Sequence, residues 1–188
     1  MYKPSYKKLV DISALTVGIR QNRMKELGEF SLYSVLAFSI PFLLAGPQLF
    51  IGTIVNMSLI GSALYLKGRK LLPIMILPSL GVLSRGVIFG PLTFYLVYLL
   101  PFIWLGNAIL VFSIKFFHLK AKRSYFFSAV LGSGFKFAFL FLSALLLYTL
   151  GIIPAAFLIA MGILQLITAI SAGMILWPIN RARTRFRK

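Results

Sequence analysis

From Phe30 onward apolar residues run almost without interruption, and the positions that break them are of two kinds. Basic clusters fall at Lys67, Arg69 and Lys70, around Lys115 to Arg123, and from Arg181 to the end. Uncharged breaks fall at Gly46-Pro47, at Gly90-Pro91 and between Gly151 and Pro154. Cutting at these breaks leaves six apolar runs, 30–45, 48–66, 71–90, 92–117, 124–150 and 153–177. A membrane-spanning helix needs about 20 apolar residues. The pattern therefore predicts an all-α integral membrane protein, a bundle of six transmembrane helices, the first short and kinked by Pro41.

The breaks predict an orientation. Every basic cluster lies on the same side of the alternation, and none of the three other connections carries a charge. Excess Lys and Arg marks cytoplasmic loops, which puts both termini inside a cell membrane. Residues 1–29 are a basic cytoplasmic segment in which Leu9, Val10, Ile12, Leu15, Val17 and Ile19 suit a short interfacial helix. Residues 30–178 hold the spans, and 179–188 form a basic tail. The outer turns are too tight for an extracellular domain, so ligand chemistry has to come from the helices or from a loop dipping between them. The stretch Ala45 to Gly52, with Gln48 as its polar side chain, is the candidate for that loop, since irregular backbone at membrane depth is tolerated where it lines a cavity.

Composition agrees and narrows the chemistry. Of 188 residues only 12% are charged, half of the roughly 25% usual for a soluble domain. The 20 basic residues against 3 acidic ones would point to nucleic acid in a soluble protein. Among apolar runs they point to anionic lipids and not to nucleic acid. There is no cysteine and one histidine, so no metal site and no cofactor is expected. An intramembrane serine protease needs a histidine within the bundle, whereas His118 sits in a basic loop. A metal-dependent lipid phosphotransferase needs carboxylates in the spans, and there are none. No enzyme activity is expected.

Two cations do lie within the spans, Arg85 and Lys136. At about 1.5 Å per residue, Arg85 is roughly 21 Å from the inner edge and Lys136 roughly 18 Å. Asn56 and Gln165 fall in the same band at about 12 Å and 18 Å from the outer edge, with Asn107 deeper at about 22 Å. A cation at membrane depth costs about 2.5–3.5 kcal/mol on insertion scales, and no acid is present in any span to compensate it. Either carbonyls and water solvate these groups, or an anionic ligand completes them. The functional expectation is a pocket open to the outside, with Arg85 and Lys136 for a carboxylate or phosphate. Asn56, Gln165, Asn107 and Gln48 would orient the ligand, and Tyr95 would stack on it. The structural alternatives are snorkelling or carbonyl bonding for the cations and interhelical hydrogen bonds for the amides. Ser128-x-x-x-Gly132-x-x-x-Lys136, Ser58-x-x-x-Ser62 and Ala169-x-x-x-Gly173 mark close helix approaches.

The run from Ala45 to Asn56, followed by Leu77-Pro78-Ser79-Leu80, by Leu100 to Leu110 and by Phe135-Lys136-Phe137, resembles a subgroup of the energy-coupling-factor transporter S components. That resemblance implies a six-helix substrate-binding protein. Its partners would be an energy-coupling transmembrane subunit and ATPases in trans, and its cargo a vitamin-like solute. The first helix presents Ser31, Ser34 and Ala37 at a spacing of three, where the family face has a spacing of four. The N-terminal histidine cluster of metal-carrying members is absent. The alternative function is a non-catalytic scaffold or assembly subunit of a larger membrane complex.

Overall fold

The computed structural model describes residue 18 and residues 22–44, 46–89 and 93–185. Helix α1 is Arg23–Leu43 and α2 is Gln48–Tyr65; a single 3-10 turn, Gly68–Lys70, leads into α3, Leu71–Phe89. Helix α4, Thr93–Ser113, runs on into a π-helical stretch, Ile114–Lys120. Then come α5, Tyr125–Thr149, the short α6, Ala156–Met161, and α7, Ile163–Arg185. Among the described residues every regular element is helical. Four stretches are long and apolar enough to cross a membrane: Gln48–Tyr65, Thr93–Lys120, Tyr125–Thr149 and Ala156–Arg183. They cover the second, fourth, fifth and sixth runs of the hydropathy pattern.

Local chemistry explains the boundaries. Pro47 precedes α2, and Ser124 caps α5 by accepting a hydrogen bond from the Phe127 amide at 3.2 Å. Gly151 ends α5 at φ +71°, the left-handed geometry that helix ends take most cheaply at glycine. Four prolines, Pro41, Pro78, Pro101 and Pro178, lie inside helices, as membrane helices allow when neighbours re-satisfy the freed groups.

Three boundaries differ from the hydropathy pattern. Helix α1 starts at Arg23, inside the segment assigned to an interfacial helix, whose residues lie mostly outside the described ones. Helix α7 continues through Pro178 to Arg185, so the basic tail from residue 179 is helical as far as described. Both extensions have polar partners. Glu26 pairs with Lys70 at 3.1 Å, and Glu29 with Arg183 at 2.5 Å. Arg183 also lies 5.0 Å over the Tyr65 ring, and the Tyr65 hydroxyl donates to Asn180 at 3.0 Å. The sixth run, finally, is broken at Gly162 into α6 and α7. A Cβ there would stand 2.4 Å from the Leu158 carbonyl oxygen, so the break requires glycine.

The Glu29–Arg183 pair ties α1 to α7 and should matter more than Glu26–Lys70. Glu29 Oε2 is buried without a partner, so losing Arg183 strands a half-buried carboxylate. Arg183→Met is expected to lower stability by about 1–2 kcal/mol, the cost of an unsatisfied charged group at a partly wet site. Lys70→Met should cost under about 0.5 kcal/mol, as exposed pairs do. Thermal unfolding of both variants in detergent checks the difference.

Lys115 departs most from its sequence context. It stands at the edge of a basic loop, yet in the π-helical stretch it is fully buried and donates to the Leu66 carbonyl at 2.8 Å. Leu66 ends α2, so the ammonium meets the negative end of that helix.

Packing divides into two apolar cores. The larger one, at the end of the bundle carrying the basic loops, joins Tyr33 and Ala37 of α1 with Leu59 to Leu64 of α2. Ile74 of α3, Leu110 and Val111 of α4, Ala129 of α5 and Ala172 of α7 complete it. The smaller one, at the uncharged end, joins Leu96 and Leu99 of α4 with Leu140, Ala144 and Leu147 of α5 and Met161 of α6. Neither core seals α1, α2 and α3 against α4, α5 and α6 at the uncharged end. A cavity lies there.

Candidate functional site

The cavity has a volume of about 410 Å³ and takes lining residues from all seven helices, with Gly46 from the α1–α2 connection. That volume is within the range of small-molecule sites, about 300–1,000 Å³. Its rim is made by Gly46, Gln48, Arg85 and Thr93, which lie beside the uncharged connections. Its floor is made by Asn56, Asn107 and Lys136, all buried, with Gln165 beside them. Between rim and floor the wall is apolar, with Val55, Val82, Leu96, Ile103, Phe157 and Met161.

Local packing places the floor. Gly52 faces α7 so closely that a Cβ would come 2.9 Å from the Thr168 side chain. Asn56, one helical turn further along the same face, therefore reaches Thr168, and its Nδ2 donates to Thr168 Oγ1 at 3.0 Å. Thr168 can accept because its own hydroxyl donates to the Leu164 carbonyl at 2.8 Å. On α5, Gly132 meets the Ser113 Cβ, where a Cβ of its own would stand 3.0 Å away, and Ser128 is buried. Lys136 follows on that face, is 2% exposed, and donates to Asn56 Oδ1 at 2.7 Å. A lysine has donors only and a threonine hydroxyl so engaged can only accept. The orientation of the Asn56 amide is thereby dictated from both sides.

The other polar groups are held singly. Asn107 donates to the Met75 carbonyl at 2.8 Å, in the turn before Pro78. Trp104 Nε1 donates to Ser79 Oγ at 2.6 Å, and Ser79 donates to the Ile76 carbonyl. Gln48 reaches the Ala160 carbonyl at 3.4 Å, bridging α2 and α6 across the rim. Arg85 donates from Nη1 to the Leu44 carbonyl. That carbonyl is among those left open where α1 ends, so the guanidinium clasps α1 to α3.

Of the residues singled out in the sequence, Arg85, Lys136, Asn56, Gln165, Asn107 and Gln48 all line this one cavity. Tyr95 does not: its ring packs 6.2 Å from Phe157, behind the wall. The carbonyl bonding weighed for Arg85 is present, though at a helix end and not at a proline. The interhelical bonding weighed for Asn107 and Asn56 is present too. Lys136 does not snorkel. Sequence reading missed Thr168, the third member of the floor relay, and the Ser79–Trp104 pair. A lone threonine in an apolar helix ordinarily bonds its own backbone, so nothing along the chain set Thr168 apart. The apolar wall carries no sequence signal of its own.

No carboxylate among the described residues lines the cavity. Among the described residues the acids, Glu26 and Glu29, sit in ion pairs at the opposite end, and no group of three or more His, Cys, Asp or Glu side chains is clustered as a metal site. The arrangement can hold and orient an anion through N–H donors in a low-dielectric enclosure, where each charged contact counts for more than in water. Compared with known proteins, the chain matches no family model, no curated protein and no solved structure.

Proposed function

We propose that this chain is a six-span, S-component-like membrane protein that binds a small anionic organic solute in the cavity, for uptake driven by a separate ATPase module. One observation carries the proposal. The two cations within the spans, far apart in sequence, line a single small-molecule-sized cavity that has no acidic group in its wall among the described residues. In this proposal α1 and α3 complete the six spans, the basic end faces the cytoplasm, and the cavity opens outward.

Thermal unfolding of the purified chain with vitamins and small organic acids tests the reading. A ligand at 100 times its Kd should stabilise the protein by about 2.7 kcal/mol. The double variant Arg85→Gln/Lys136→Gln should lose that response. Affinity capture from membranes should recover a transmembrane coupling subunit with its ATPases. If no acid stabilises the chain while other membrane subunits co-purify, the cations serve as structural ties and the bundle is a scaffold.

A further inference from the structure

The two cations stand at different depths, Lys136 buried on the floor and Arg85 at the half-exposed rim, and from that difference we infer the ligand's charge and its direction in the cavity. The ligand is a singly charged carboxylate, its oxyanion at Lys136 on the floor and its apolar body toward the rim. This rests on the cavity being a solute site and adds which solutes it takes and which way round.

The ammonium of Lys136 has three N–H groups and no acceptor. One goes to Asn56 Oδ1, and Asn56 cannot turn because its amide is committed to Thr168. A neutral carbonyl does not compensate the charge. Two N–H groups remain for whatever fills the cavity. The Gln165 side chain also lines the cavity and takes no hydrogen-bond partner among the described residues, which adds two amide donors. Asn107 is already engaged with Met75. The floor therefore presents one positive charge and a few free donors, which a carboxylate with its two oxygens matches. A phosphate monoester carries about −1.5 to −2 at neutral pH and would bring an uncompensated second charge to a buried floor that offers one cation. Arg85 does not supply the balance there. It stands at the half-exposed rim, where solvent screens its charge and one of its five N–H groups holds the Leu44 carbonyl, as a positioning residue. The wall between them is apolar and suits an aromatic or branched hydrocarbon body.

The test uses the full chain in non-ionic detergent, with binding followed by calorimetry and thermal unfolding. The probes are benzoate, cinnamate, 1-naphthoate and octanoate, each beside its primary amide, with phenyl phosphate as the monoester. Short-chain phosphatidylglycerol supplies a singly charged lipid oxyanion. We expect at least one acid to bind at least tenfold more tightly than its amide and than phenyl phosphate or the lipid. Lys136→Gln should erase the acid-over-amide preference. Gln165→Leu, which breaks no bond in the described structure, should weaken the acid several-fold without moving the unfolding temperature. Arg85→Gln should lower the unfolding temperature and keep the preference. Binding with equal affinity for acid and amide, or a preference that survives Lys136→Gln or vanishes only in Arg85→Gln, overturns the direction while leaving the solute site standing. Tighter binding of phenyl phosphate or the lipid overturns the carboxylate. Silence from every probe overturns the solute site itself.

Discussion

Asn56→Leu is expected to destabilise the protein by about 3 kcal/mol, far more than one neutral hydrogen bond would suggest. The substitution takes the described acceptor away from Lys136, whose side chain is 2% exposed. A buried donor stripped of its partner incurs its full desolvation cost, about 1–3 kcal/mol for a neutral group and more for a charged one. The same reasoning fixes the second corner of a cycle. Lys136→Met in the Asn56→Leu background removes the stranded charge and fills the space with a flexible apolar chain. Replacing a buried polar pair by apolar groups of similar volume is often neutral or stabilising, so the double variant should recover most of the loss. A coupling of about 2 kcal/mol or more between the two positions is therefore predicted, well beyond the 0.5 kcal/mol or so seen for independent sites. Additive effects in thermal unfolding would mean that the ammonium is solvated by something other than Asn56.

The second large effect lies where no polar group is involved. A Cβ on Gly81 would stand 2.5 Å from the Phe38 carbonyl oxygen and 3.4 Å from the Phe42 amide nitrogen. Those are backbone atoms of α1, which cannot swing aside as a side chain can. Gly81→Ala must push α1 and α3 apart, at a cost in the range of overpacked sites, about 1–3 kcal/mol. Arg85 follows Gly81 by one turn on α3 and clasps the end of α1, so the same shift should loosen the rim and weaken any acid that binds. Gly134 gives the contrast. Nothing stands within 4 Å of a Cβ added there, and glycine is the poorer helix former by about 1 kcal/mol. Gly134→Ala should therefore leave the protein as stable as before or slightly more so. Equal destabilisation by both alanines would show that the α1–α3 approach is not as close as described.

The site was legible as residue types and much less as roles. Arg85 and Lys136 stood out because a charge in an apolar run is expensive, and both line the cavity. Depth counted along the helices put Asn56 and Lys136 in one band, and they are bonded at 2.7 Å. The two cations have different partners in the fold. What separates them is the Leu44 carbonyl, 41 residues from Arg85 in sequence. A helix end has open carbonyls wherever it falls, and no periodicity tells which distant donor will reach them. Thr168 was invisible for the same reason: its place beside Asn56 depends on the close approach that Gly52 allows.

By itself the sequence determined the class and the inventory. Long apolar runs can satisfy their backbone in a bilayer only as helices, and the placement of glycine, proline and basic clusters sets where those helices break. With three acids in the chain and none in a run, it also determined that two cations would need partners from outside the usual ion pair. Tertiary structure decided the rest. It carried α1 and α7 past their apolar limits, because Glu29 met Arg183 and Tyr65 met Asn180 across the bundle. It buried Lys115, which hydropathy leaves in a loop, against the end of α2. It also left the uncharged end unsealed between two cores. Composition counts groups, and only packing assigns each one a neighbour, so the cavity and the division of labour between Lys136 and Arg85 had to come from the fold.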